Sequence, residues 1–413
     1  MKRRLLSSLA AMSLVIATGC SITLGTPPGA SDSPTTDQPS APPSPHLTDF
    51  PGRIAVLNAS GTLEVIGADG SHPTVLADSD PDVTLVRQPT WSRDGTRIAW
   101  VGLDADGTSA TVMTAAPDGT QITQTSVAAA PFYLSWDPTS ARIVYLGGSA
   151  TADIELGLVD VASSTTSPID SGSPFYFSWA PQGKQMLVHV GTDRLDQLGI
   201  DGSFTPLGDR PGRFNVPVWT ADGRTLFYVS EAGGRQRLIA NDIATDRREV
   251  LARFDGGITF VVSPDGERVA YQVIRDGPSL AVPLSVIDRK SGTTHRVATE
   301  YSPAFFWSPD GTKLLSLQPE VEERLVFRWS VWEDGSSFST EQFVPSLELS
   351  RDYLQFFEQY AQSMTLWSPD GSAFVYAGQQ AESGESGIWI QPATIGSSPI
   401  RVADGVVAFW SPG

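Results

Sequence analysis

One short phrase recurs through this chain of 413 residues: an apolar run, a tryptophan, Ser-Pro-Asp-Gly, then an alternating strand. It reads Trp-Ser-Arg-Asp-Gly from Trp91, Trp-Asp-Pro-Thr-Ser from Trp136, Trp-Ala-Pro-Gln-Gly from Trp179 and Trp-Thr-Ala-Asp-Gly from Trp219. Val-Ser-Pro-Asp-Gly follows from Val262, full copies start at Trp307 and Trp367, and Trp410-Ser411-Pro412-Gly413 is a truncated one. The steps between copies are 45, 43, 40, 43, 45, 60 and 43 residues. A period of about 40–45 residues in a strand-rich chain points to the four-stranded blades of a β-propeller.

The chemistry of the phrase explains its recurrence. In Ser308-Pro309-Asp310-Gly311, proline presets φ for the second turn position, Asp suits the third, and Gly supplies a left-handed residue that closes the hairpin. A second turn, such as Asp201-Gly202 or Asp334-Gly335, follows in most copies. Each period therefore reads as strand A, the Ser-Pro-Asp-Gly turn, strand B, a loop, strand C, a second turn and strand D. The Trp136 copy carries Ser140 where glycine should stand, so a looser turn is expected there. The first strands, from Arg53, read as B, C and D without an A, and the last, Gly405 to Trp410, as an A alone. Together they complete one blade and leave no free sheet edge. The expectation is an all-β, eight-bladed propeller over residues 50–413, closed by strands from both ends of the chain.

Trp-Ser-Pro-Asp-Gly followed by a strand resembles the TolB-type, WD-repeat-like propellers, and it is similar to the propeller domain of prolyl oligopeptidases. The resemblance covers nearly the whole chain after the tether described below and implies a fold rather than a reaction. A hydrolase domain would need a Gly-x-Ser-x-Gly elbow; Gly384-Glu385-Ser386-Gly387 has its glycine one position early and reads as a loop. TolB carries a further α/β domain before its propeller, and here only a tether precedes it.

No catalytic constellation is legible, so the chain is not expected to be an enzyme. The four histidines, His46, His72, His189 and His295, are scattered over the tether and different blades, without the spacing of a zinc site. His189 sits in an alternating strand and reads as a packed residue. Asp104-Ala105-Asp106-Gly107 lacks the further ligands of a calcium loop. Neither a metal nor an organic cofactor is called for.

The start of the chain sets a compartment. Lys2, Arg3 and Arg4 precede an apolar run from Leu5 to Ile16, which is short for a membrane span and right for a signal peptide. Ala17-Thr18-Gly19-Cys20 resembles the lipobox of bacterial lipoproteins, in which the cysteine is lipidated; the alternative is an ordinary cleaved signal with an incidental cysteine. Cys20 is the chain's single cysteine, so it has no disulfide partner within the chain. The boundaries expected are a lipoprotein signal over 1–19 and a lipidated, Ser/Thr/Pro-rich tether over 20–49. That places the protein in the cell envelope, exported and lipid-anchored to a membrane. Removing the signal leaves 25 basic residues against 46 acidic ones. Such a balance disfavours nucleic acid as a partner and favours a soluble, monomeric body.

What remains is a binding surface for a protein, peptide or glycan partner, with an accessory or gating propeller for a separately encoded hydrolase as the rival. Aromatic residues gather before strand A: Phe132 and Tyr133, Phe175 and Tyr176, Phe214, Tyr301 and Phe305. They are either core or a ring around the channel mouth. The 60-residue step holds extra chain between Gln342 and Met364, whose Tyr353, Leu354, Phe356, Phe357 and Tyr360 have helical spacing with Ser350 as N-cap. This insertion is expected on the face of the B–C and D–A loops, as a lid or as a partner site.

Overall fold

A computed structural model describes residues 46–78, 85–104, 109–148, 153–275 and 282–413. The described residues belong to one compact unit. The signal, Cys20 and most of the tether lie outside the described residues, as do Ala105 to Gly107 of the acidic loop. Among the described residues no helix is long and apolar enough to cross a membrane.

The expected propeller is present, with eight blades. Blades 1 to 6 are separate four-stranded antiparallel sheets, and blades 7 and 8 are joined into one sheet by an extra strand, Phe343–Pro345. That strand pairs with blade 7 at Phe327↔Phe343 and with blade 8 at Phe343↔Gln380 to Pro345↔Gly378. Strand A is innermost in each blade and D outermost. Burial follows this order: Pro131–Trp136 is almost wholly buried, whereas Thr165–Gly172 and Phe204–Pro206 are mostly exposed.

Blade 1 is the composite. Its B, C and D strands are Arg53–Leu57, Leu63–Gly67 and Thr74–Ala77, and its A strand is Val407–Trp410. The two parts pair antiparallel from Ile54↔Trp410 to Leu57↔Val407. Beyond this ladder, Ser411 N–H donates to the Arg53 carbonyl at 2.8 Å and Trp410 Nε1 to the Pro51 carbonyl at 2.8 Å. Closure therefore satisfies backbone groups that an open ring would leave as a sheet edge.

The repeated turn is built as its residues require. Gly311 has φ 70°, and its N–H donates to Ser308 O at 2.9 Å. The Asp310 carboxylate accepts from Ser308 Oγ at 2.6 Å and Thr312 N–H at 3.0 Å. At the Trp136 copy the turn is not looser. Ser140 keeps the bond to Asp137 O at 3.0 Å by adopting φ 58° itself, a conformation that costs a non-glycine residue about 1 kcal/mol. Asp137 compensates by accepting from the Ala141 and Arg142 backbone N–H groups at 2.9 and 3.0 Å.

Four of the repeat tryptophans act between blades. Trp91, Trp136, Trp307 and Trp367 each donate their indole N–H to a strand A carbonyl of the preceding blade: Phe409, Thr90, Val261 and Phe306, at 3.1 to 3.3 Å. Each acceptor directly precedes the repeat position of its own blade. Trp136, Trp367 and Trp410 are fully buried, but Trp307 is only half-buried.

Candidate functional site

The long connection between blades 7 and 8 runs into the central channel. It does not form one helix. A π-helical turn, Leu349–Tyr353, passes into a 3-10 turn, Leu354–Phe356, and then a short α-helix, Phe357–Tyr360. The expected N-cap at Ser350 is replaced by Ser346, whose Oγ accepts from Leu349 N–H at 3.2 Å. The irregular winding follows from the bonds this plug makes, which fix side chains in directions that a single regular helix would not supply.

These bonds reach the inner strands of blades 1 to 6 or the connections leading into them. Ser346 Oγ donates to Val406 O at 2.5 Å, and Tyr360 Oη lies 3.0 Å from Gln88 Oε1 and 3.1 Å from Phe132 O. Gln359 accepts from Phe177 N–H at 3.0 Å and donates to Phe177 O at 2.9 Å, mimicking a missing strand neighbour. Its own carbonyl accepts from Tyr133 Oη at 3.1 Å. Farther along, Thr90 Oγ1 donates to Ser363 O at 3.1 Å, Arg93 donates to Gln362 O, and Trp410 N–H donates to Thr365 O at 3.0 Å. Toward blade 7 the plug packs Phe357 against Phe305, with centroids 4.7 Å apart.

Glu358 sits within this framework without an ion-pair partner among the described residues. One carboxylate oxygen accepts from Asn215 Nδ2 at 3.0 Å and from Phe260 N–H at 2.9 Å. Burial pushes its pKa up to about 8, against those two hydrogen bonds. His189 lies on the other side of Asn215, with Nδ1 at 3.1 Å from Asn215 O, and burial holds it down to about 4. It is a packed, neutral histidine.

Above the plug, on the face of the B–C and D–A loops, a cavity of about 640 Å³ opens between the plug and blades 1 to 4. Its walls are mainly apolar, and its size is that of a ligand pocket. Leu85, Phe132 and Phe356 line it while 44, 45 and 46 % exposed. Tyr176 and Phe214 form a stacked pair in another wall, with centroids 4.6 Å apart. Polar side chains are in the minority: Gln88 and Gln359 near Tyr360, Asn58 and Ser60 from blade 1, and Arg87, Glu348 and an Arg351–Asp352 pair at 2.7 Å. Gln88 has φ 57° at an irregularity in strand A of blade 2, between Arg87 and Thr90.

Eight of the eleven aromatic residues singled out from the sequence therefore line one cavity: Phe132, Tyr133, Phe175, Tyr176, Phe214, Tyr353, Phe356 and Tyr360. They play different parts. Phe132 and Phe356 are exposed, whereas Tyr133, Phe175, Tyr353 and Tyr360 are buried in its floor and walls. Phe357 faces Phe305 of blade 7 and Tyr301 stands elsewhere on the ring, half-buried; none of these three lines the cavity. Sequence reasoning missed Gln88, Glu358 and Gln359, because isolated polar residues carry no periodic signal.

No protein family and no curated protein matches the sequence. Solved structures do. A eukaryotic initiation factor is 12% identical, with 87% of this chain and 98% of that one covered, at a TM-score of 0.54. The shared architecture is a β-propeller. TolB from Acinetobacter baumannii is 18% identical over 70% of this chain and 79% of its own, with a TM-score of 0.41. A prolyl endopeptidase is 12% identical over 76% of this chain and 51% of its own, with a TM-score of 0.49. At such identities the likeness is one of fold, and the initiation factor's carries the propeller architecture expected from the repeat.

Proposed function

We propose that this chain is a non-enzymatic binding propeller, exported and held at a membrane by lipid on Cys20, which captures an apolar or aromatic side chain of a protein or peptide partner in the channel-mouth cavity. The observation that carries this reading is the placement of Leu85, Phe132 and Phe356, exposed together around one concave space. Exposed apolar side chains cost solvation unless something covers them, and aromatic anchors in pockets dominate binding energy. The mainly apolar wall suits hydrocarbon better than a sugar, whose hydroxyls would need partners there. The plug blocks the channel beneath, so a partner docks at the mouth and does not thread the ring.

The test is capture of a partner from envelope extracts, followed by binding of that purified partner to variants. Phe132→Ala with Phe356→Ala is expected to weaken binding at least tenfold and to leave the melting temperature nearly unchanged. Undiminished binding by the double variant rejects the site. A hydrolase as the captured partner would turn the reading toward a gating propeller. Cys20→Ser is expected to move the protein from the membrane fraction to the soluble exported fraction; continued membrane association rejects the anchor.

A further inference from the structure

On the face that carries the cavity, a groove of about 1260 Å³ opens between blades 7 and 8, among their B–C hairpin tips and the start of the long connection. Five glutamates line it against two arginines, and both arginines are engaged. Arg328 Nε lies 3.0 Å from each carboxylate oxygen of Glu320, and Arg324 donates to Ala381 O at 3.3 Å. Glu385 pairs with Arg401 at 3.2 Å, and Glu322 accepts from Gln342 Nε2 at 2.7 Å. Glu323, Glu341 and Glu382 are left without an ion pair among the described residues, and all three are exposed.

A second observation lies in the groove wall. Gln380 lines it and is only 4 % exposed. Its Nε2 donates to Tyr376 Oη at 2.9 Å, whereas its Oε1 has no donor. A buried acceptor without a donor is unfavourable and rare. Here it stands beside three unpaired carboxylates and the aromatic surface of Trp389, which suits a donor that carries positive charge.

We propose that this groove docks a lysine- or arginine-bearing segment of a protein partner. Among the described residues no three carboxylate or imidazole groups converge closely enough to hold a metal ion; charges spread along a groove fit a chain of spaced cations instead. Val321 and Leu325, 83 and 52 % exposed, flank Glu322 to Arg324 at the hairpin tip and offer apolar contacts to the side chains between those cations. A small polyamine would leave them uncovered. The groove is separate from the cavity, so its test stands or falls independently of the cavity's.

The experiment measures binding of a labelled seven-residue peptide of alternating lysine and leucine to the full chain, with its glutamate-for-lysine counterpart as control. The lysine peptide is expected to bind, to weaken with salt and to lose at least tenfold in affinity in Glu323→Gln with Glu382→Gln. Gln380→Met, which removes the acceptor at similar volume, is expected to cost at least threefold. The opposite-face pair Glu267→Gln with Glu333→Gln, also exposed, is expected to change binding less than twofold. Equal losses in the two glutamate pairs would mean diffuse attraction to an acidic body and overturn the proposal. Displacement by spermine at matched charge would overturn it in favour of a small-cation site. The glutamate pairs are surface changes, so the comparison survives even if Gln380→Met impairs folding.

Discussion

The ring and the plug are held by different kinds of interaction. The ring repeats a few solutions: ladders within blades, an indole N–H donated to the preceding blade at four of the repeat positions, and the same hydrogen-bonded turn at the A–B corners of blades 2 to 8. The plug repeats nothing. Each of its contacts, Tyr360 with Gln88, Gln359 with Phe177, Glu358 with Asn215 and Phe260, is made once and by different chemistry. A repeated scaffold spreads its stability over equivalent interfaces, whereas the plug depends on single polar anchors whose loss leaves a partner unsatisfied.

Opening the ring should have the largest effect. Deleting 405–413 removes strand A of blade 1 and exposes the edge of Arg53–Leu57. Loss of the cooperative melt, or association through the bared edge in size-exclusion chromatography, is expected; a folded, monomeric truncation would show that closure is dispensable. Within the ring, Trp367→Ala, at a residue 1 % exposed, is expected to cost about 3–5 kcal/mol in denaturant unfolding. Trp307→Ala, at a half-buried copy of the same position, should cost clearly less. Equal losses would mean that the interblade indole bond, which both make, outweighs burial.

The plug should yield to smaller changes. Gln359→Leu strands the Phe177 N–H and C=O and is expected to cost about 1–3 kcal/mol. Hydrogen exchange should accelerate across 346–363 while the blade ladders stay protected. Uniform loss of protection would mean that plug and ring are one cooperative unit.

The smallest effect is set by pH. Folded Glu358 keeps its proton up to about pH 8, whereas the unfolded chain releases it near pH 4.5. The native state therefore binds the extra proton between those values, and this residue's contribution to stability falls as pH rises through them. Glu358→Gln keeps an acceptor for Asn215 and Phe260 and removes the titration. Its advantage over the parent chain should be absent at pH 4 and grow to about 1–3 kcal/mol by pH 8.5, with allowance for hydration within the channel. Parallel stability curves for the two proteins would place Glu358 in water.

Legibility in the sequence followed the same division. Proline, aspartate and glycine at fixed offsets specify a turn locally, and eight copies in phase specify a ring, so blade count, strand order and the composite blade could be read directly. Even the face of the long insertion followed from counting strands. Its destination did not. The aromatic spacing of Tyr353, Leu354, Phe356, Phe357 and Tyr360 suggested one helix lying over the rim, whereas the segment enters the channel in three short turns of different pitch. Eight of the eleven aromatic candidates met in one cavity because D–A connections converge on the channel axis, but which are exposed depends on the plug that covers the others.

What the sequence by itself determined was therefore everything encoded by local turn chemistry and by period. Tertiary structure alone decided what fills the centre. The channel wall consists of unpaired strand edges and side chains from blades far apart in the chain, and only when they are assembled do Phe177, Asn215, Phe260 and Thr90 present the donors and acceptors that wind residues 346–365 into place.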